Sequence, residues 1–277
     1  MTEISYGVDW LSATSTNDSV GQRWWLDYCK YEQSNAPLFA EDFRLQGGYQ
    51  GRKCEGVAWA YSTRYGYYCH GTGSDAPHIW DWVQMPEVRV TRIDLRVDVI
   101  IPKADVDVAG RGYAQNRDCD RPSYRLIDKS ASDGQTLYIG SMSSERFARL
   151  YDKGAERGQV PGFIWRYEVV IRKPYADAVY AQVKEGGIKV LPGLVYAWFD
   201  ERNVSPLFQA DAVGLASTET RVTTVEARLA WLRKSVRPAV LKLVQSGYAQ
   251  ETYQALGISI ATSKTPSEIW HYQSAGV

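Results

Sequence analysis

Residues 90–100, with the sequence VTRIDLRVDVI, place the strongest constraint on the fold of this chain. From Arg92 to Val99, charged and apolar residues alternate without a break. Because successive side chains of a β-strand point to opposite faces, this period of two predicts a strand. Its apolar face carries Ile93, Leu95, Val97 and Val99, and its charged face carries Arg92, Asp94, Arg96 and Asp98. The chain therefore has to build a sheet, and the charged face is either a site or a solvated surface.

Residues 146–153, with the sequence RFARLYDK, predict a second strand whose polar face carries Arg149, Tyr151 and Lys153. A tyrosine between two cations has a specific chemistry. A phenol has a reference pKa of about 10, and neighbouring positive charges stabilise the phenolate and attract a phosphate. The same pattern is also typical of a tyrosine that lies beside Lys and Arg side chains on an exposed sheet. These three residues are the candidate catalytic group.

Residues 164–173, with the sequence IWRYEVVIRK, predict a third strand of this kind. Its polar face carries Arg166, Glu168 and Arg172. If the three strands are neighbours, the carboxylates of Asp94, Asp98 and Glu168 become candidate ligands for Mg²⁺ or Mn²⁺, which prefer oxygen donors. A metal ion there would polarise a phosphodiester for attack by Tyr151. The candidate contacts to the flanking DNA phosphates are Arg92, Arg96, Arg166 and Arg172.

The patterns along the rest of the chain predict an α+β fold with a central antiparallel sheet and flanking helices. Strands are predicted at 4–14, within 44–72, and at 89–101, 123–128, 136–140, 146–153 and 163–172. Helices are predicted from Asn17 or Asp18 to about residue 32, at 175–185 and over 221–256, and residues 103–122 are predicted to form a loop. We expect a main domain over 1–205 and a mainly helical C-terminal segment over 206–277.

Charge and composition limit the function classes. The 32 basic and 32 acidic residues cancel, so any nucleic-acid binding has to come from local patches. The 10 Trp and 19 Tyr suit flat ligands such as nucleobases or sugars, and they also suit a sheet-rich core. No apolar run is long enough to span a membrane, and the N-terminus lacks a signal pattern. Four scattered cysteines without a CxxC pair exclude a zinc ribbon, and we expect a cytoplasmic protein.

One segment carries a strong local excess of positive charge. Residues 221–245 contain six basic residues and one acidic residue, Glu226, for a net charge of +5. A basic helical pair of this kind suits contacts to DNA phosphates. The candidate DNA contacts in it are Arg233, Lys234 and Arg237. The alternative is a packing helix with a solvated basic face, in which Leu229 and Leu232 point into a core.

Four segments together resemble the replication-initiation-factor family of rolling-circle plasmids and filamentous phages. They are VDWLSAT (8–14), VTRIDLRVDV (90–99), TLYIGSMSSERFARLYDKGAE (136–156) and WRYEVVIRK (165–173). The third is the most specific, because the family carries its nucleophilic tyrosine in an R-x-Y-[DN]-K-x-x-E setting. That setting corresponds here to Tyr151 with Lys153 and Glu156 beside it.

The resemblance implies a DNA nicking-closing enzyme, a rolling-circle initiator with a fold related to the HUH-type nucleases. Tyr151 would attack a phosphodiester at a replication origin and form a 5′-phosphotyrosyl link, with Mg²⁺ or Mn²⁺ on Asp94, Asp98 and Glu168. The implied partners are single-stranded or hairpin origin DNA and the helicase and DNA polymerase of a bacterial host, and a homodimer is left open. The three histidines are too far apart in sequence for a His-x-His ligand pair, and we interpret Cys69 and His70 as structural.

Two other functions remain open at this point. The first is a non-catalytic DNA-binding regulator on the same fold, whose aromatic side chains stack on bases. The second is a carbohydrate enzyme that uses paired carboxylates and an aromatic platform. A carbohydrate enzyme would give Tyr151 and the arginines no role. Metal dependence and a requirement for Tyr151 separate the three functions.

Overall fold

The computed structural model describes residues 3–35, 41–101, 107–116, 124–128, 134–216, 233 and 236–255. The chain divides into two compact units, Met1–Thr218 and Glu219–Val277. The first unit extends past residue 205, and Phe208 is buried in its core. The assignment of a nicking domain to residues 1–205 stays a prediction.

The first unit is built on an antiparallel sheet, to which the described residues contribute ten strands. In chain order the strands are β1 (Glu3–Ser15), β2 (Glu41–Leu45), β3 (Tyr49–Cys54), β4 (Val57–Ser62), β5 (Gly66–Thr72), β6 (Arg89–Ile100), β7 (Tyr124–Asp128), β8 (Gln135–Ile139), β9 (Arg146–Asp152) and β10 (Ile164–Arg172). Their order across the sheet is β2-β3-β4-β5-β1-β6-β10-β9-β8-β7. The predicted α+β fold with a central antiparallel sheet is confirmed.

The helices of the first unit are α1 (Asp18–Asn35), α2 (Val108–Asn116), α3 (Lys153–Glu156), α4 (Tyr175–Gly186) and α5 (Leu191–Asp200). The second unit contains α6 (Arg237–Gln245) and α7 (Ala249–Ala255). Helix α1 begins where Asn17 caps it, since the Asn17 Oδ1 accepts hydrogen bonds from the backbone N–H groups of Ser19 and Val20. None of the helices in the described ranges is long and apolar enough to cross a membrane.

One segment differs from its prediction. Residues 103–122 were expected to form a loop, but Val108–Asn116 forms α2. The segment is polar overall, but Val108 and Ala109 are buried on one side of the helix. Gly112 faces β8 so closely that a Cβ atom there would lie 3.0 Å from the Leu137 side chain. The contacts with the sheet therefore outweigh the weak helical propensity of the sequence.

The main core lies on one face of the sheet, as the alternation in β6 predicts. Ile93, Leu95, Val97 and Val99 are fully buried there, and each such side chain contributes about 1.5–3 kcal/mol on burial. Helices α1, α4 and α5 add Trp24, Val179 and Leu194 to the same core. The helices thus cover the apolar face, and the charged residues of β6 lie on the other face.

Candidate active site

The three polar strands identified in the sequence are neighbours, in the order β6-β10-β9. Arg166 of β10 lies opposite Asp98 of β6 and Tyr151 of β9. Glu168 lies opposite Arg149 of β9 in the same way. The register therefore brings the predicted tyrosine, carboxylates and arginines onto one face of the sheet.

Tyr151 of β9 lies on this face and is 7% exposed. Its hydroxyl donates a hydrogen bond to Glu168 Oε2 at 3.1 Å. Glu168 is fully buried, and its other oxygen, Oε1, pairs with Arg149. Burial and the Glu168 carboxylate raise the pKa of Tyr151, against the opposing effect of Arg166 and Arg149. The phenol is therefore protonated at neutral pH.

The two aspartates of β6 are each held by arginine. Arg92 donates from Nε to Asp94 Oδ1 at 2.9 Å and from Nη2 to Asp94 Oδ2 at 2.6 Å. Arg166 binds Asp98 in the same bidentate manner, at 2.5 and 2.9 Å, and Arg96 adds a bond at 2.8 Å. Burial raises the pKa of Asp94 to about 7, although the Arg92 pair lowers it.

The hydrogen bonds to the three carboxylates determine whether their oxygens are available to bind a divalent metal ion. All six oxygens of Asp94, Asp98 and Glu168 accept a hydrogen bond from an arginine or from Tyr151. Within the described ranges, no group of three or more His, Cys, Asp and Glu residues is placed to hold a metal ion. In this arrangement the carboxylates do not fit a ready-made Mg²⁺ or Mn²⁺ site, and the metal site stays a prediction from the resemblance.

The structure adds one residue that the sequence did not single out. The pairing of β1 with β6 shifts register between Val8 and Trp10, which marks a β-bulge. Asp9 is the extra residue, and its Oδ1 accepts a hydrogen bond from Arg166 Nη1 at 2.6 Å. Arg96 Nε lies 3.7 Å from the same oxygen. The motif VDWLSAT contained this aspartate, but a bulge has no sequence signal that places it beside Arg166.

Helix α3 positions Lys153 next to the tyrosine. Asp152 caps this short helix by accepting a hydrogen bond from the Ala155 N–H at 2.9 Å. Lys153 then lies with its Nζ 5.6 Å from the centre of the Tyr151 ring and pairs with Glu156. The predicted catalytic residues Arg149, Tyr151 and Lys153 are therefore brought together.

The predicted DNA contacts separate into three groups. Arg92, Arg96 and Arg172 are partly exposed on the charged face, and Arg172 Nη1 donates to the carbonyl of Met142 at 2.6 Å. Arg166 is 2% exposed, and Asp98 and Asp9 hold its guanidinium, so its contact with phosphates stays a prediction. In the second unit, Arg233 and Arg237 are exposed, and Lys234 lies outside the described residues.

His70 gives a testable consequence of burial beside the site. It is 4% exposed, and its Nδ1 lies 3.2 Å from the Tyr68 hydroxyl. Burial, with Lys53 and Arg92 nearby, lowers the pKa of His70 to about 4. In the unfolded chain the histidine takes up a proton near pH 6.5, whereas in the folded protein it does so near pH 4. The contribution of neutral His70 to the free energy of unfolding is therefore complete above pH 6.5 and is lost as the pH falls from 6.5 to 4.

We expect this group alone to reduce the free energy of unfolding by about 2 kcal/mol between pH 7.5 and pH 5. Urea unfolding of the intact chain and of His70→Gln at both pH values measures it. The difference between the two pH values is expected to shrink by that amount in the variant. An unchanged difference would show that His70 does not titrate as a buried neutral group.

The fold is similar to that of a rolling-circle replication initiator of known structure. The structure is similar to that of the rolling-circle replication initiator protein from Geobacillus stearothermophilus, with a TM-score of 0.56 and 19% sequence identity. The match covers 80% of this chain and 90% of that chain. Residues 88–187 match the sequence profile of the replication initiation factor family. No curated protein sequence matches the chain.

The resemblance found in the sequence is thereby confirmed. The matched segment runs from β6 to the C-terminal end of α4. It contains Tyr151, Asp94, Asp98 and Glu168, which are the predicted nucleophile and the predicted metal ligands. Asp9 and the strands β1–β5 lie outside this segment.

Proposed function

We propose that this protein initiates rolling-circle replication by nicking and rejoining one DNA strand at a replication origin, with Tyr151 as the nucleophile. The observation that carries the proposal is the placement of Tyr151. Its phenol hydroxyl donates a hydrogen bond to Glu168, and Arg149 and Lys153 lie 5.3 and 5.6 Å from the centre of its ring, within the segment that matches the family profile. A phosphate that reaches this oxygen meets two cations that are still partly open to solvent.

In the nicking step, the phenol oxygen of Tyr151 bonds to phosphorus and the bond from phosphorus to the 3′ oxygen breaks. The phenol proton passes to Glu168, the residue that already accepts its hydrogen bond. The released 3′ oxygen takes a proton from water and becomes a free 3′-OH. Arg149 and Lys153 stabilise the charge on the phosphate. In the closing step the 3′-OH attacks phosphorus and gives its proton to water. The bond from phosphorus to the Tyr151 oxygen breaks, and Glu168 returns the phenol proton to Tyr151.

The reaction exchanges one phosphodiester for another, so it needs no nucleotide cofactor. The 5′ end remains attached to the protein, and the free 3′ end is a primer for a DNA polymerase. We therefore propose origin DNA, single-stranded or in a hairpin, as the substrate. A helicase and a polymerase of the host are the proposed partners.

The predicted requirement for Mg²⁺ or Mn²⁺ has a direct test at Glu168. Glu168→Ala is expected to raise sharply the metal concentration needed for half-maximal attachment to DNA, because it removes one of the three predicted ligands. Titration of attachment with Mn²⁺ in the intact protein and in the variant measures the change. Glu185→Ala is the matched control, because Glu185 is an exposed glutamate of helix α4, which packs on the apolar face of the sheet. An unchanged titration in Glu168→Ala would remove Glu168 from the metal site.

A non-catalytic DNA-binding regulator is the second candidate function. The observation in its favour is that all three predicted metal ligands are neutralised by arginine. Covalent attachment to single-stranded oligonucleotides that tile the protein's own replicon, with Mn²⁺ present, separates the two functions. An adduct supports the nicking enzyme, and binding without any adduct supports the regulator. The carbohydrate enzyme gains no support, since Asp94 and Glu168 each face an arginine.

A further inference from the structure

A cluster of rings continues the face of Tyr151 onto the other half of the sheet. We call Trp10, Phe43, Tyr49, Tyr68 and His70 the aromatic patch. The ring centres lie 5.0 Å apart for Trp10 and His70, 5.2 Å apart for Phe43 and His70, and 5.8 Å apart for Tyr49 and Tyr68. The patch is separate from the main core, whose members lie on the helix-covered face.

The register joins the patch directly to the candidate active site. Trp10 of β1 lies opposite Asp94 of β6, and Ser12 lies between Arg92 of β6 and His70 of β5. The Arg92 guanidinium lies over the Trp10 ring, 4.2 Å from its centre, while it binds Asp94. Arginine and aromatic side chains thus alternate across one continuous surface.

The distance between Tyr151 and the patch suits a flank of several nucleotides. Through the strand pairing, Tyr151 aligns with Asp98 of β6 and Trp10 aligns with Asp94 of β6. These two positions are four residues apart along the strand. Three strand spacings of about 4.8 Å separate β9 from β1, so the two side chains are about 20 Å apart across the sheet. Arg92 lies at the edge of the patch, with its guanidinium over the Trp10 ring.

Small residues give the patch its shape. Ala58 and Ala60 of β4 lie opposite His70 and Tyr68, and Gly51 of β3 lies opposite both Ala60 and Phe43. A Cβ atom at Gly51 would lie 1.9 Å from the carbonyl oxygen of Trp59, so only glycine fits there. With no bulk between them, Phe43 of β2 reaches Tyr68 and His70 three strands away. The outer strands therefore curl towards this face.

We propose that the aromatic patch binds unpaired bases of the DNA strand that flanks the scissile phosphate, a role that rests on the proposed function. Aromatic rings and arginine planes stack on bases without regard to sequence. Trp10, Phe43 and Tyr49 are partly exposed, and Tyr65, 43% exposed, extends the surface by stacking on Tyr49. Arg64 lies over the Tyr65 ring, 5.0 Å from its centre, and adds positive charge there. Arg92 and Lys53 lie beside the rings in ion pairs with Asp94 and Glu41. Partly exposed rings beside charged side chains are typical of a surface that binds single-stranded nucleic acid, and not of a closed hydrophobic core.

The first test measures binding without chemistry, in a Tyr151→Phe background. The probe is a labelled oligothymidylate long enough to span Tyr151 and the patch. Trp10→Leu is expected to weaken its binding about tenfold, and Trp10→Phe to restore part of the loss. Trp25→Leu is the matched control, because Trp25 is an exposed ring that packs on Trp59 under helix α1. Binding of a duplex of the same length should not change in the Trp10 variants, because the bases of a duplex are already stacked on each other.

The second test does not depend on how well a variant folds. Oligothymidylates that carry a single 5-iodouracil at successive positions are crosslinked to the intact protein, and the attached residue is identified by mass spectrometry. Crosslinks to Trp10, Phe43 or Tyr49 support the patch. Equal loss of binding in the Trp10 and Trp25 variants, or crosslinks confined to residues outside the patch, would overturn it. Failure of the proposed function has a separate signature, which is no adduct at Tyr151 while these crosslinks persist.

Discussion

Tyr151→Phe is expected to abolish covalent attachment to origin DNA and to leave DNA binding and the fold intact. The change removes one oxygen atom from a ring that stays buried. The lost hydrogen bond to Glu168 costs about 1 kcal/mol of the free energy of unfolding. Glu168 keeps its ion pair with Arg149, so no buried charge is left without a partner. Attachment should therefore fall below detection, because no other atom of the variant occupies the position of the nucleophile.

The measurement is a protein band shifted by bound oligonucleotide under denaturing conditions. Tyr138→Phe is the matched control, since Tyr138 lies opposite Arg149 on the neighbouring strand β8. The control should retain the adduct in full. An adduct that survives Tyr151→Phe would keep the nicking activity but assign the nucleophile to another residue. A wild-type protein that binds every oligonucleotide and forms no adduct would favour the regulator.

The sequence predicts the elements around the site well, because strict alternation is a local property. The run from Arg92 to Val99 defines which residues share a face, and the structure buries the apolar set completely. Residues 146–152 and 164–172 form strands for the same reason. The sequence does not predict helix α2, because its two glycines weaken the helical pattern and its close contact with β8 is not a local property.

The sequence could not predict which residues pair across strands. That pairing decides whether an arginine is free to bind a phosphate or is held by a carboxylate. Alternation places Arg92 and Arg166 on the charged face, but the residue opposite each one depends on register. In the structure Arg166 is enclosed by Asp98 of β6 and Asp9 of β1, whereas Arg92 binds Asp94 on its own strand. A bulge at one position of β1 supplies the second of these carboxylates. The face therefore has a layer of ion pairs where the sequence indicated free ligands and free cations.

Arg166→Met is expected to cost about 3–5 kcal/mol of the free energy of unfolding, the cost of breaking a buried ion pair by removing one partner. The substitution keeps a long apolar side chain, so the loss comes from charge. Asp98, 6% exposed, would lose both bonds from Arg166, and Asp9 would lose its bond at 2.6 Å. Urea unfolding measures the effect, and the double variant Arg166→Met with Asp98→Leu should recover part of it, because no buried carboxylate is then left at position 98.

Arg172→Met on the same strand is the control, because Arg172 is partly exposed and donates to backbone carbonyls. Its expected cost is about 1 kcal/mol. The two variants also separate an internal ion pair from a DNA contact. If Arg166 instead binds phosphate, its replacement would weaken DNA binding and flatten the salt dependence of binding while the free energy of unfolding changes little. The burial of Arg166 between two aspartates predicts the opposite order, with the loss of stability first and the loss of binding only as its consequence.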